Sequence, residues 1–200
     1  MRYDGAFYCS FALAAALLGS APAWASGDGH SSESLSIDVT ARIAERCGIS
    51  AKRSIDTSKV PDLDTAQVLR FDFNIDCNTP FKIGMSSQNG ALRLVGAEGN
   101  DPVAPDGFSV EKAYRVGLRV DTDADPLAPY TCSSRDLTNA AGNCPFYGSR
   151  PGQGLSSGKR TAIDREGTIT VSWPAIDDTG RRRAAGEYRD TITVVVGART

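Results

Sequence analysis

The chain has 200 residues, and its 22 basic and 24 acidic side chains give a formal net charge of −2. This near balance, with a sequence pI near 5.4, argues against nucleic acid or an anionic membrane surface as the main partner. The hydrophobic share of 40% is ordinary for a globular protein and excludes a chain that is disordered throughout.

The first predicted element is a secretion signal. Residues 7–18 form an apolar run, and small residues follow at Ala23 and Ala25. The run is too short for a membrane-spanning helix, which needs about 20 apolar residues. We therefore predict a signal peptide over residues 1–25, cleavage after Ala25 and no membrane span in the mature chain. What remains is long enough for one domain with its own core.

A polar leader and an alternating segment follow the cleavage site, and together they span residues 26–43. Residues 27–34 are rich in Gly and Ser, whereas residues 35–43 alternate between apolar and polar side chains. The apolar face of this predicted strand consists of Leu35, Ile37, Val39, Ala41 and Ile43. The pattern alone fits either the first strand of the chain's own sheet or a strand that is donated to another protein.

The rest of the chain is predicted to form an all-β domain over residues 44–200. Clean alternation indicates one buried and one solvated face, which is typical of an antiparallel, immunoglobulin-like sandwich. Gly- and Pro-rich connections at residues 96–108 and 121–167 are expected to lie outside the core. The further strand candidates are residues 69–77, 81–86, 91–95, 114–120, 168–173 and 188–196.

The last strand candidate has an apolar face of its own. Tyr188, Ile192, Val194 and Val196 share that face, and four residues follow them. Because the last strand would also be the last element, we expect an open sheet edge beside it unless another segment covers it.

Four cysteines remain after the signal is removed, and in an oxidising compartment they are expected to form two disulfides. Of the three pairings available, we favour Cys47–Cys77 and Cys132–Cys144. The first ties the residues after the N-terminal strand to the end of a predicted strand, and the second closes a local loop. A zinc site is the competing interpretation, but the spacings are irregular and contain no Cys-x-x-Cys pair.

Catalytic signals are weak, and we predict no enzymatic activity and no cofactor. The single histidine, His30, lies in the polar leader, so no positioned base is expected beside a Ser or Cys nucleophile. Residues 121–125 resemble the start of a calcium loop, but Pro126 and Cys132 stand where an EF-hand needs Gly and Glu. A solvated acidic loop is the preferred interpretation.

Two further segments are expected to be solvated connections. Residues 152–160 resemble a phosphate-binding loop, but the spacing is wrong and Arg160 replaces the Ser or Thr that would hold magnesium. We interpret residues 152–160 as a flexible linker. The run from Arg181 to Arg183 is most simply a solvated turn.

Several motifs together carry a family resemblance. An alternating strand ends shortly before Cys47, and a second strand runs into the partner cysteine as Ile75-Asp76-Cys77-Asn78-Thr79-Pro80-Phe81. The most specific motif is the closing Ala-Gly-Glu-Tyr-Arg-Asp-Thr-Ile-Thr-Val of residues 185–194, and residues 113–121 form a Tyr-containing strand that ends near an Asp. In these features the chain resembles the spore coat protein U family, which includes the pilins of archaic chaperone–usher pili.

The resemblance implies an immunoglobulin-like fold that lacks its final strand and is completed by donor-strand exchange. A periplasmic chaperone would first lend a strand, and at the outer-membrane usher the next subunit's N-terminal extension would replace it. Leu35, Ile37, Val39, Ala41 and Ile43 would then enter a neighbour's groove beside the last strand. The implied function is a structural subunit of a secreted surface fibre, a homo- or heteropolymer that supports adhesion or biofilm formation.

The alternative is a self-contained secreted sandwich, which would fold without a chaperone and stay monomeric. It would act as a coat or surface protein or as a carbohydrate-binding module. Sugar binding favours an exposed aromatic platform, for which the candidates are Tyr130, Phe146, Tyr147 and Trp173.

Overall fold

The structure is a computed structural model that describes residues 38–52, 62–97, 106–175 and 180–199. No helix in these ranges is both long enough and apolar enough to cross a membrane. The described residues form one short 3₁₀ helix, Ser134–Leu137, and the following strands: β1 Cys47–Ala51, β2 Gln67–Cys77, β3 Phe81–Ser87, β4 Leu92–Leu94, β5 Phe108–Ser109, β6 Glu111–Lys112, β7 Arg115–Val120, β8 Tyr130–Ser133, β9 Leu155–Ser156, β10 Ala162–Trp173, β11 Arg182–Arg183, β12 Tyr188–Arg189 and β13 Ile192–Ala198.

One layer of the domain is a five-stranded antiparallel sheet in the order β1-β2-β10-β7-β8. Its central strand, β10, shows why the sequence folds this way. Ile169, Val171 and Trp173 are buried on one face, whereas Thr168 and Thr170 alternate with them on the other. The same period of two in β2 and β7 gives the sheet one apolar face.

The second layer consists of two ladders that follow one another along the chain. Their orders are β13-β3-β9 and β12-β4-β6. The predicted single strand over residues 188–196 is interrupted at Asp190 and Thr191, between β12 and β13. The interruption has a chemical cause, because the Asp190 carboxylate accepts backbone and side-chain hydrogen bonds at this corner.

The core lies between the two layers, and the all-β sandwich predicted from the sequence is confirmed. Phe81, Ile83 and Met85 on β3 are fully buried, and they belong to the same cluster as Val116 and Leu118 on β7. Both favoured disulfides are also confirmed. The Cys47–Cys77 bond joins residues that are direct partners in the β1–β2 ladder.

The connection over residues 121–167 was predicted to lie outside the core, and that prediction is wrong. Leu127, Leu137 and Phe146 are all buried in it, at 4% exposure or less. The segment also contains β8, β9 and the start of β10. It is apolar at irregular spacings, and the Cys132–Cys144 disulfide closes one of its loops.

Residues 152–160, predicted to be a flexible linker, instead pack on the second layer. β9 pairs with β3, and the Ser157 hydroxyl accepts a hydrogen bond from the Phe81 backbone N–H at 2.9 Å. A Cβ on Gly84 would lie 3.0 Å from the Gln153 carbonyl oxygen, so this loop crosses β3 at backbone contact. Gly154 has a φ of +95°, which favours glycine at this crossing.

The chain divides into two compact units, residues 1–41 and 42–200. Leu35 and Ile37 lie outside the described residues. The strand predicted over residues 35–43 is not formed in its described part, because residues 38–43 have no regular secondary structure. The first described strand is β1, which the sequence analysis did not predict.

Candidate functional site: a groove between the sheets

A groove of about 980 Å³ opens between the two layers of the sandwich. One wall comes from β2 and β10 of the five-stranded sheet, and the other comes from β12 and β13. Its apolar lining includes Leu69, Phe71, Ile169, Val171, Ile192 and Val194.

The burial of β2 locates the open part of the groove. The inward-facing residues at one end of the strand, Ile75 and Cys77, are completely buried. At the other end, Leu69 and Phe71 face the same side but are only partly buried. The two layers therefore seal one end of the interior and leave apolar side chains accessible at the other.

Strand β13 forms the edge of the groove. Within the described ranges, the backbone of β13 pairs with β3 and with no second strand. Ile192, Val194 and Val196 are only partly buried, although Ile83 and Met85 on the neighbouring β3 are 0% exposed. An apolar row beside an unpaired strand edge is the arrangement to which another β-strand can be added.

Strand β3 shows what a covered edge looks like in the same layer. On the side away from β13, it pairs with β9. Farther along, the Met85 N–H donates to the Phe146 carbonyl at 2.8 Å, and the Gly148 N–H donates to the Met85 carbonyl at 3.0 Å. The chain thus covers one edge of this layer along its length, which makes the one-sided pairing of β13 a specific feature.

Polar groups meet at one end of the groove. Arg183 is buried, at 8% exposure. Its guanidinium Nε lies 3.7 Å from Asp64 Oδ1, and its Nη1 donates a hydrogen bond to the Glu111 carbonyl at 2.5 Å. The sequence interpretation of Arg183 as part of a solvated turn is therefore wrong. Trp173 is 4% exposed, and its indole Nε1 has no hydrogen-bond partner in the described part of the chain.

Asp190 organises the corner between β12 and β13. Its carboxylate accepts hydrogen bonds from the Tyr114 hydroxyl at 2.5 Å, the Ser87 hydroxyl at 2.7 Å and the backbone N–H groups of Asn89 and Thr191 at 3.0 and 2.7 Å. Burial, together with the adjacent Asp190 carboxylate, raises the pKa of the Tyr114 hydroxyl above its usual range. Asp190 therefore holds the start of β13 in place.

The structure brings the predicted groove residues together on one side of the second layer. Tyr188, Ile192 and Val194 line the groove, and Val196 packs against the core farther along β13. The Tyr188 hydroxyl lies 2.8 Å from the Ala184 carbonyl oxygen, and burial raises its pKa. Of the predicted donor residues that are described, Val39 is 88% exposed, Ile43 is 86% exposed and Ala41 is also exposed.

The opposite wall of the groove was not identified from the sequence as part of a site. Leu69 and Phe71 carry a signal that could have been used, because they continue the face of Phe73 and Ile75 beyond the buried part of β2. Asp64 and Arg183 carry no such signal, since 119 residues separate them in the sequence.

The candidates for other functions are dispersed. Phe146 and Trp173 are buried, whereas Tyr130 is 38% exposed, so these aromatics do not form one exposed platform. Asp123 accepts hydrogen bonds from Thr161 and Arg165, both at 2.7 Å, and these partners lower the pKa of its carboxyl. In the described ranges, no group of three or more His, Cys, Asp or Glu side chains is arranged to hold a metal ion.

No protein-family model matches the chain, and a search of curated proteins finds no significant match.

Proposed function

We propose that this protein is a structural subunit of a secreted surface fibre of the archaic chaperone–usher type, and that its groove accepts a β-strand from another copy. The observation that carries the proposal is the one-sided pairing of β13 beside a groove of about 980 Å³ with apolar walls. An added strand would supply hydrogen bonds to the β13 backbone and cover Ile192 and Val194 with its own side chains.

The segment over residues 35–43 has the properties of the occupant. Val39 and Ile43 are large apolar side chains at 88% and 86% exposure, and they stand four residues apart on the same face of an extended chain. Burying each of them contributes about 1.5–3 kcal/mol. Strand β13 also lies close to β1, and nine residues in extended form are long enough to pair along its groove-lining part, Ile192 to Val194.

The same features explain the need for an assembly partner. A subunit with an unpaired apolar edge aggregates unless that edge is capped. A periplasmic chaperone that lends a strand would protect the groove until the extension of the next subunit replaces it, and an outer-membrane usher would be the place of exchange. Adhesion or biofilm formation would then be a property of the fibre, displayed at the cell surface.

The test is electrophoresis in SDS of the secreted, non-reduced protein without boiling. The full chain is expected to give a ladder of oligomers that collapses to monomer on heating. Deleting residues 27–43 should abolish the ladder, whereas the matched deletion of residues 27–33 should keep it because the alternating segment remains. A single monomer band from stable full-length protein, made without helper proteins, would refute the proposal and favour the self-contained sandwich.

A further inference from the structure

The N-terminal extension leaves the sandwich at a corner that is tied by several hydrogen bonds. Asn78, just after β2, accepts from the Arg46 N–H at 2.9 Å through its Oδ1, and its own backbone N–H donates to the Arg46 carbonyl at 3.1 Å. Its Nδ2 donates to the Ala44 carbonyl at 2.9 Å. The Asp76 carboxylate also accepts a bidentate pair of hydrogen bonds from the Arg46 guanidinium, from Nε at 2.7 Å and from Nη2 at 3.1 Å. We call these contacts the Asn78 clamp.

The Asn78 clamp fixes the direction in which the extension departs. Strand β1 runs from Cys47, opposite Cys77, to Ala51, opposite Phe73. The bonds of Asn78 to Ala44 and Arg46 continue this antiparallel arrangement past the end of β2. Residues 44–46 are therefore held in line with β1.

The far end of β13 lies at the same corner. Ala198 is the register partner of Phe81, and the Arg199 N–H donates to the Pro80 carbonyl at 2.7 Å. Strand β1 also lies close to β13. An extended segment rises about 3.3 Å per residue, so the six residues 38–43 would span about 20 Å if they turned at residues 44–46 and ran back past β1 along β13. Chain length alone does not prevent the extension from entering its own groove.

Building on the proposed function, we infer that Asn78 and Asp76 are positioning residues that make strand donation occur between copies instead of within one copy. While the clamp is formed, residues 44–46 cannot make the reverse turn that self-insertion requires. Breaking the clamp removes that restraint and lets the extension compete for its own groove, where its effective concentration is high. Subunits capped in this way would be unable to extend a fibre.

The experiment uses the full chain with one added cysteine in the extension and one in the groove. Two such variants, Val39→Cys with Val194→Cys and Ala41→Cys with Val194→Cys, test two alignments of the extension along β13. A short bismaleimide links the added thiols, and denaturing gels with mass spectrometry separate linked oligomers from internally linked monomers. Without a clamp substitution, the links should be between chains. Adding Asn78→Ala should raise the ratio of within-chain to between-chain product about tenfold, as expected for losing one or two hydrogen bonds.

Two further variants separate positioning from folding. Thr79→Ala, next to the clamp, should behave like the parent. Asn78→Asp keeps the acceptor for the Arg46 N–H but loses the donor to Ala44, so an intermediate ratio is expected even if Asn78→Ala fails to fold. Equal ratios of within-chain to between-chain product in the parent and in Asn78→Asp, with abundant between-chain links in both, would refute the positioning role of the Asn78 clamp. The proposed function would remain intact. No links of either kind in any variant would overturn the proposed function as well.

Discussion

The exchange of Val39 for aspartate provides a sharp test of which face of the extension enters the groove. Val39 is 88% exposed in the isolated chain, so insertion would bury nearly all of its side chain, a contribution of about 1.5–3 kcal/mol. An aspartate there would have to be protonated, which costs about 4 kcal/mol at pH 7 for a carboxyl whose pKa is near 3.9. Together these effects would weaken the proposed joint by about four to five orders of magnitude.

Thr40→Asp is the matched control for this exchange. It adds the same charge to the neighbouring residue, which points to the other face of an extended strand and stays in water. Ladders on unboiled, non-reduced gels should therefore disappear for Val39→Asp and persist for Thr40→Asp. Equal ladders in the two variants, or loss of the ladder in both, would refute the assignment of the inserted face.

The remaining predictions concern the stability of the sandwich. Cys47→Ser opens a disulfide whose cysteines are 30 residues apart and should lower the free energy of unfolding by about 3–4 kcal/mol in urea titrations; unchanged titrations would show that the bond contributes nothing. Tyr114→Phe removes the hydrogen bond to Asp190 and should cost about 1.5–3 kcal/mol, since the acceptor is charged. The pKa of Tyr114 is raised in the folded state. Its contribution to the free energy of unfolding is therefore complete below the unfolded pKa of about 10 and is lost as the pH rises above that value. The urea midpoint of the parent should fall between about pH 9 and pH 11, and Tyr114→Phe should show a smaller fall; parallel pH curves would contradict this linkage.

Local patterns were sufficient for much of the sandwich. β2, β3, β7 and β10 each alternate between the two faces, so their existence and their buried sides could be read from the sequence. The Cys47–Cys77 bond could be predicted because it joins the beginning of the domain to the end of a clear strand.

Long-range features could not be predicted in this way. Leu127, Leu137 and Phe146 are buried at spacings of no regular period, so nothing local marks them as core. β1 is a short strand, Cys-Gly-Ile-Ser-Ala, whose formation depends on pairing with β2 and on its disulfide. The groove itself depends on which strands become neighbours, and sequence periodicity does not determine this.

The position of Trp173 makes its fluorescence an intrinsic probe of the groove. The chain has two tryptophans, and the other, Trp24, precedes the expected cleavage site, so the processed protein would carry a single indole. That indole lines the groove with its N–H lacking a hydrogen-bond partner in the described residues. Fluorescence depends on the polarity and hydrogen bonding around an indole, so the emission of Trp173 would report the arrival of a strand in real time, without any added label.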